Sequence, residues 1–504
     1  MDESVEPVVE GASAQRRKRL VLGCGALLVL MVCSATAVLL TQYADGVDVT
    51  VEAGNGDAPA TVSGTATVNA QVQGTEAVVV PPTSEREESV PGEEAGPAEE
   101  SGPGNEARPG RIVFVNDAGR IGTVGPDGDQ RRFITGEDDG IYLFPAWSPD
   151  GSSFAALGVQ QSGSGVYVMD DEAESVITEI YFSHSGAPIY LFWRPAGDAI
   201  SYIASGETAL NLYLSSADGA GEPQLLVEGQ PLYWDWVGDE SRLLVHTGTP
   251  LGDSRLAFVD VAGEPDVSPN LSDAGYFQAP AISTGGSNVA FAELDDDAER
   301  WLAVQNVNSN EVQRTAHEGV VAMGWSPVEQ LLAYISPDDP VRRFSLNYYG
   351  PLRVFDAGTG DIRVLTDETV LAFFWSPDGQ TIAYFTVAPG VGEQIAEHPQ
   401  GLVAPVRSKV HAQNEDFRLS LSLVDIGSGQ PQRLVDFRPT ELFLTQFLPY
   451  FDQYAHSHRL WSPDSQALVL PMMNEDQARI YVVPASGRGL SPVADGGVAF
   501  WSPR

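Results

Sequence analysis

The sequence predicts an all-β chain, an eight-bladed β-propeller behind one transmembrane helix and a disordered stalk. Three observations carry that reading. A turn box, Trp375-Ser376-Pro377-Asp378-Gly379 in its full form, returns from residue 147 to residue 501. Most returns fall at roughly 40 to 50 residues, the length of one four-stranded blade, and the step from Trp375 to Trp461 is about twice that. Short apolar runs flank each box, as in Val370-Leu371-Ala372-Phe373-Phe374 before it and Thr381-Ile382-Ala383-Tyr384-Phe385 after it, which is the signature of a β-hairpin.

The box reads as a tight turn, with Ser376 at the first corner, Pro377 fixing φ at the second, Asp378 third, and Gly379 free to take positive φ. Other copies are Trp147-Ser148-Pro149-Asp150-Gly151, Trp325-Ser326-Pro327, Trp461-Ser462-Pro463-Asp464 and Trp501-Ser502-Pro503. Degraded forms stand at Trp193-Arg194-Pro195, at Trp236, and at Ile282 before Ser283-Thr284-Gly285-Gly286. These give eight registers; the count becomes seven if the degraded repeat at Ile282 is irregular. The tryptophans that share the register read as packing between blades.

Residues 1–19 are a polar cytoplasmic tail ending in Arg16-Arg17-Lys18-Arg19. Residues 20–40 follow without a charge, long enough to span a bilayer, and the basic flank places the N-terminus inside. A cleaved signal peptide is the competing reading, because Ala35-Thr36-Ala37 resembles a small-residue cleavage site. The apolar run continues past that site through Val38-Leu39-Leu40, which favours an uncleaved anchor. Cys24 and Cys33 are the only cysteines and both lie in this run, so the remainder has no disulfide.

Residues 41–108 are rich in Gly, Pro, Glu, Ala and Thr and almost without aromatics, a composition that reads as a disordered acidic linker. The propeller occupies 109–504. Its first blade has three strand candidates, 111–115, 120–124 and 131–135, and lacks an inner one. Gly497 to Pro503 supplies an inner strand at the other end of the chain, so the ring is expected to close by pairing the C-terminal strand with the first blade, which removes exposed sheet edges. The other blades are placed at 141–182, 186–228, 230–270, 275–315, 318–366, 368–435 and 453–494.

The boxes followed by Ile382-Ala383-Tyr384-Phe385 or Phe154-Ala155-Ala156-Leu157, with later strands such as Val166 to Asp170 and Leu421 to Asp425, resemble the repeats of TolB-type β-propellers over residues 111–504. The resemblance implies the fold. Such propellers serve as periplasmic binding partners, as accessory domains of prolyl oligopeptidase-like hydrolases and in sensors, and fold alone does not choose among these.

A formal charge of −41 argues against a nucleic-acid partner, which requires a basic footprint. There is no Gly-x-Ser-x-Gly elbow, no phosphate-cradling Gly-rich loop, no Cys-based zinc site and no His-Glu-x-x-His. The sequence therefore reads as a membrane-anchored, extracytoplasmic module that binds a protein, peptide or envelope polymer, without a cofactor. The alternative is a metal-dependent hydrolase or lyase with its site in the propeller funnel. A weak metal set is Asp452, His456 and His458, because two histidines two apart on a strand share one face; the favoured reading of Tyr450 to His458 is a loop that packs its aromatics over the propeller end, with its histidines hydrogen-bonded to backbone.

Three insertions, Pro337 to Tyr349, Val387 to Asp416 and Asp436 to Gln453, exceed hairpin length and fall on the face opposite the Trp-Ser-Pro turns. They carry the expected binding residues Tyr348, Tyr349, Arg407, Lys409, His411, Phe443, Phe447, Tyr450, Phe451 and Tyr454, an aromatic and locally basic set; the alternative is a lid that caps exposed blade edges.

Overall fold

A computed structural model describes residues 110–171, 176–238, 241–248, 254–262, 266–268, 271–272, 274–294, 299–338, 348–389 and 417–504. The tail, the apolar run and the linker lie outside the described residues, and with them the expected membrane span and stalk.

Antiparallel sheets form eight blades, built in chain order from the axis outward except that the first takes its inner strand from the C-terminal end. The first three strands are β1 (Ile112–Val115), β2 (Ile121–Val124) and β3 (Arg132–Phe133). Blade 2 holds β4 (Ile141–Trp147), β5 (Ser153–Val159), β6 (Ser164–Asp170) and β7 (Thr178–Ser183), and blade 3 holds β8 (Pro188–Trp193), β9 (Ala199–Ser205), β10 (Leu210–Ser216) and β11 (Gln224–Gly229). Blade 4 follows with β12 (Leu232–Trp236), β13 (Arg242–Gly248), β14 (Ser254–Asp260) and β15 (Asp266–Val267). Blade 5 has β16 (Ala281–Ile282), β17 (Asn288–Leu294), β18 (Arg300–Asn306) and β19 (Val312–Ala316). Its inner strand is short, yet the four-stranded blade is complete, so the Ile282 repeat counts and the number is eight rather than seven.

Blade 6 comprises β20 (Ala322–Trp325), β21 (Leu331–Ile335), β22 (Gly350–Asp356) and β23 (Ile362–Val370), and blade 7 comprises β24 (Ala372–Trp375), β25 (Thr381–Val387), β26 (Leu419–Asp425) and β27 (Pro431–Phe437). Blade 8 has β28 (Ala467–Asn474), β29 (Gln477–Pro484) and β30 (Ser491–Asp495). Its inner strand shrinks to a bridge between Trp461 and Leu468, extended by Val469 N–H donating to the Leu460 carbonyl at 2.8 Å. The blade therefore begins at Leu460, not at 453. The ring closes as the sequence predicts, with β31 (Val498–Trp501) pairing antiparallel to β1 from Ile112↔Trp501 to Val115↔Val498.

The turn chemistry of the box is realised atom by atom. Gly379 N–H donates to the Ser376 carbonyl at 2.9 Å and Gly379 sits at φ +68, the left-handed region that glycine enters without a Cβ penalty. Ser376 Oγ donates to Asp378 Oδ1 at 2.6 Å and accepts Thr381 N–H at 3.0 Å, which fastens the turn to the second strand. The copy at Ser148 repeats both bonds.

The shared tryptophan register has a second cause besides packing. Five of these indoles reach, through Nε1, the backbone carbonyl just before the box position of the preceding blade: Trp147 to Phe500 (3.2 Å), Trp193 to Ala146 (2.9 Å), Trp325 to Ala281 (3.1 Å), Trp375 to Gly324 (2.9 Å) and Trp461 to Phe374 (3.1 Å), whereas the Nε1 atoms of Trp236 and Trp501 are buried without a hydrogen-bond partner among the described residues. Neighbouring inner strands are thus stitched together near the axis, each buried bond contributing about 1 kcal/mol. The core lies between the blades and along the axis, where one cluster runs from Val113 to Phe500.

Candidate functional site

Strand direction sends the three insertions to one face, since two of them join second to third strands (β21 to β22, β25 to β26) and the third joins blade 7 to blade 8. Residues 339–347 and 390–416 lie outside the described residues, and with them Arg407, Lys409 and His411. The third insertion is described throughout and turns inward.

After β27 the chain forms a π-helical turn (Phe443–Phe447), a 3-10 turn (Leu448–Tyr450) and the helix α1 (Phe451–Ser457). Together they make a plug that contacts seven of the blades, and Pro439, which leads into it, reaches the eighth. Phe447 stacks on Phe374 of blade 7 at 5.8 Å between ring centroids and meets Phe500 of blade 1 at 5.5 Å. Phe451 packs edge-on against Phe373 (5.1 Å) and against Tyr348 of blade 6 (5.6 Å). Tyr454 lies between Phe144 of blade 2 and Tyr190 of blade 3, each at 5.2 Å. Pro439 bridges to Met472 of blade 8.

Polar contacts fix the plug's rotation about the axis. The Gln453 amide pairs with the Trp234 backbone as a neighbouring strand would, Nε2 donating to the carbonyl at 2.9 Å and Oε1 accepting N–H at 3.1 Å. Tyr190 hydroxyl donates to the Gln453 carbonyl at 2.8 Å and Tyr348 hydroxyl to the Pro449 carbonyl at 2.8 Å. Asp452 Oδ2 accepts Ala279 N–H of the blade 5 approach at 3.2 Å. His458 Nε2 lies 3.1 Å from the Phe144 carbonyl. Phe144 holds φ +46, a conformation that costs a bulky residue on the order of 1–3 kcal/mol.

This placement corrects the expected binding surface. Tyr348, Tyr349, Phe443, Phe447, Phe451 and Tyr454 are buried and Tyr450 is half-buried. Their rings fill the axis instead of facing solvent, because a long aromatic insertion gains more by covering the open centre of the ring than by standing in water. The metal reading is corrected too. Residues 451–457 are helical, so His456 and His458 do not share a strand face. His458 uses Nε2 on Phe144 and Nδ1 on Ser457 at 2.7 Å, and Asp452 is taken by backbone N–H groups. No group of three His, Cys, Asp or Glu among the described residues stands close enough to hold a metal ion. Sequence reasoning missed Asp235 and Tyr190 as partners of the plug and Gln453 as its polar anchor; the one local signal was Phe451, Tyr454 and His458, spaced three and four apart as on one helix face.

Electrostatics at the axis follow from burial. Desolvation pushes the Asp452 carboxyl up to about 6 and raises Asp235, while it lowers the His458 imidazole to about 4. The Tyr190 phenol is raised for the same reason, with Asp235 and Asp452 adding to the effect. Away from the axis, a cleft of about 480 Å³ lies between blades 2 and 3 on the turn face, lined by Asp150, Asp170, Trp193 and Asp218 among others. An apolar groove of about 550 Å³ runs between blades 3 and 4 past Leu226, Val245 and Val259.

No protein-family model matches the chain, and no curated protein matches it. Solved structures do. TolB from Acinetobacter baumannii is 18% identical over 50% of this chain and 65% of its own, with a TM-score of 0.31. An oligogalacturonate lyase in complex with manganese is 13% identical, covers 77% of this chain and 86% of its own, and scores 0.40. The dihydro-heme d1 dehydrogenase NirN in complex with DHE is 13% identical over 80% of this chain and 78% of its own, at 0.49. These are likenesses to propeller structures and reach no further than the fold.

Proposed function

We propose that this chain is a non-catalytic binding propeller, held at a membrane by residues 20–40, that recognises an extracytoplasmic protein, peptide or envelope polymer. The supporting observation is the plug. A site in the propeller funnel would need concave space along the axis, and the chain's own Phe447, Phe451 and Tyr454 take that space. What remains for a partner is the loop face around the plug and the clefts between blades. Arg407 and Lys409 belong to an insertion that springs from Val387 and returns at Leu419 on that face, and Lys409 is one of only two lysines in a chain of charge −41. Arg407 and Lys409 form a short basic pair within an insertion that also carries Glu393, Glu397, Glu415 and Asp416, and on an acidic protein that pair supplies a local attraction that the rest of the surface opposes.

The test is capture from an envelope extract by residues 109–504, with and without Arg407→Ser and Lys409→Ser. A loss of several-fold in the captured partner at an unchanged melting temperature is the expected result; equal capture by the double variant removes the loop from the proposal. Membrane attachment is tested separately, by adding protease to intact spheroplasts. Cutting within 81–110 with release of a folded propeller is expected, whereas protection until lysis reverses the topology. No helix among the described residues is long and apolar enough to cross a membrane, and residues 20–40 lie outside them.

A further inference from the structure

Three titratable side chains meet where α1 crosses the axis. Asp452 and His456 are one helical turn apart on α1 and face the same side. Asp235 reaches toward them from β12, its Oδ1 3.6 Å from His456 Nδ1. Both carboxyls are buried, Asp235 at 6% and Asp452 at 2% exposure. Each is held by backbone donors: Asp235 by Trp236 N–H (2.8 Å) and Ile282 N–H (2.9 Å), Asp452 by Gln453 N–H (3.0 Å) and Ala279 N–H (3.2 Å). The Gln278 amide, with its nitrogen turned toward α1, adds a donor to Asp452 Oδ1 at 3.2 Å.

The elements packed around this cluster bring tyrosine phenols and one further imidazole. β8 contributes the Tyr190 phenol, blade 6 the Tyr348 phenol, the 3-10 turn Tyr450, and α1 with its C-terminal neighbour Tyr454 and His458. β20 and β24 contribute none. Among the described residues no lysine or arginine pairs with Asp235 or Asp452, and the His456 imidazole is the one basic side chain acting on either. Two carboxylates thus share one imidazole. With all three ionised, the apolar seat would hold a net negative charge, which a low-dielectric interior opposes. His456 Nε2 is itself buried without a hydrogen-bond partner in the structure, so no further protein group balances the set.

We infer that seating of the plug is linked to proton uptake: the Asp235–Asp452–His456 cluster gains a proton when residues 440–458 close the axis and releases it when they withdraw. The direction follows from burial. Both carboxyls sit above the usual carboxylate range in the closed state, so the stabilisation is fully present below that range and is lost as pH rises through about 6, the value to which Asp452 is pushed. Taking an ordinary carboxyl in the open state, the closing equilibrium falls about tenfold between pH 5 and pH 7.5.

Backbone hydrogen exchange tests this on the full chain, with rates corrected for intrinsic pH dependence. The protection of 440–458 is expected to fall about tenfold from pH 5 to pH 7.5 relative to that of β5 and β25, and Asp452→Asn is expected to flatten the dependence while leaving β5 and β25 unchanged. Asp235→Asn provides the same reading from the opposite wall if Asp452→Asn fails to fold. Plug protection that tracks the strands across pH in the parent protein, or a slope retained in full by both Asn variants, overturns the inference.

Discussion

Removing residues 497–504 is expected to unfold the propeller at temperatures where the full ring is stable. The deletion takes β31 from β1 and so opens the ring along four residue pairs, Ile112↔Trp501 through Val115↔Val498. Phe500 and Trp501 are both at most 1% exposed, and truncation of one such aromatic to alanine costs about 3–5 kcal/mol. Phe500 also touches His458 at 4.5 Å and Phe447 at 5.5 Å, so closure of the ring and seating of the plug depend on the same side chain. Ser502 ties the end down, its Oγ accepting Arg111 N–H at 2.8 Å and its N–H donating to the Arg111 carbonyl at 2.7 Å. The loss from the two aromatics alone, about 6–10 kcal/mol, is as large as the about 5–15 kcal/mol by which domains are stable, and the freed edge of β1 invites aggregation. Phe500→Ala alone should lower stability by about 3–5 kcal/mol in a urea titration. A truncated domain that melts together with the full one rules out closure by β31.

The ring was legible in the sequence because its signals are local. Ser376, Asp378 and Gly379 encode a turn within five residues, and a period of boxes needs no knowledge of contacts. Closure was legible by subtraction, since one blade lacked an inner strand and 497–503 offered one. The bonds that join blades were not legible. The acceptors for the tryptophan indoles are backbone carbonyls, which carry no residue identity. Asp171, gripped by Arg111 at 2.6 Å and Arg132 at 2.7 Å, lies in a different blade from both arginines.

The plug was misread for a different reason. Tyr450 to His458 carries a period of two in its histidines and a period near 3.6 in Phe451, Tyr454 and His458, and a short run does not choose between them. Tertiary context chose the helix. The axis offers a round apolar hole walled by Phe144, Tyr190, Trp234, Phe374 and Phe500, and only a compact element whose own backbone groups are satisfied can enter it. Reading the insertion's aromatics as a surface patch placed the right residues in the wrong solvent.

Replacing Phe447 by Ala is accordingly expected to destabilise the domain by about 3–5 kcal/mol, an effect of core size from a residue in a connection between blades. Phe447 is fully buried and has four aromatic neighbours, Phe374, Phe443, Tyr454 and Phe500, drawn from blades 7 and 1 and from the plug itself. Alanine would leave a void that these rings, each already held by a further partner, cannot all move to fill. Gln453→Ala tests the polar half of the same seat. It strands the N–H and carbonyl of Trp234 in a dry interior, at about 1–3 kcal/mol for each group left without a partner. Ala at Glu441, which is exposed at the start of the plug, provides the control and should fall within about 0.5 kcal/mol of the parent. Denaturant midpoints at constant slope decide the matter. If Phe447→Ala and Gln453→Ala behave like the Glu441 control, the plug is a cover laid over a ring that stands without it, and the axis is not where the blades are held together.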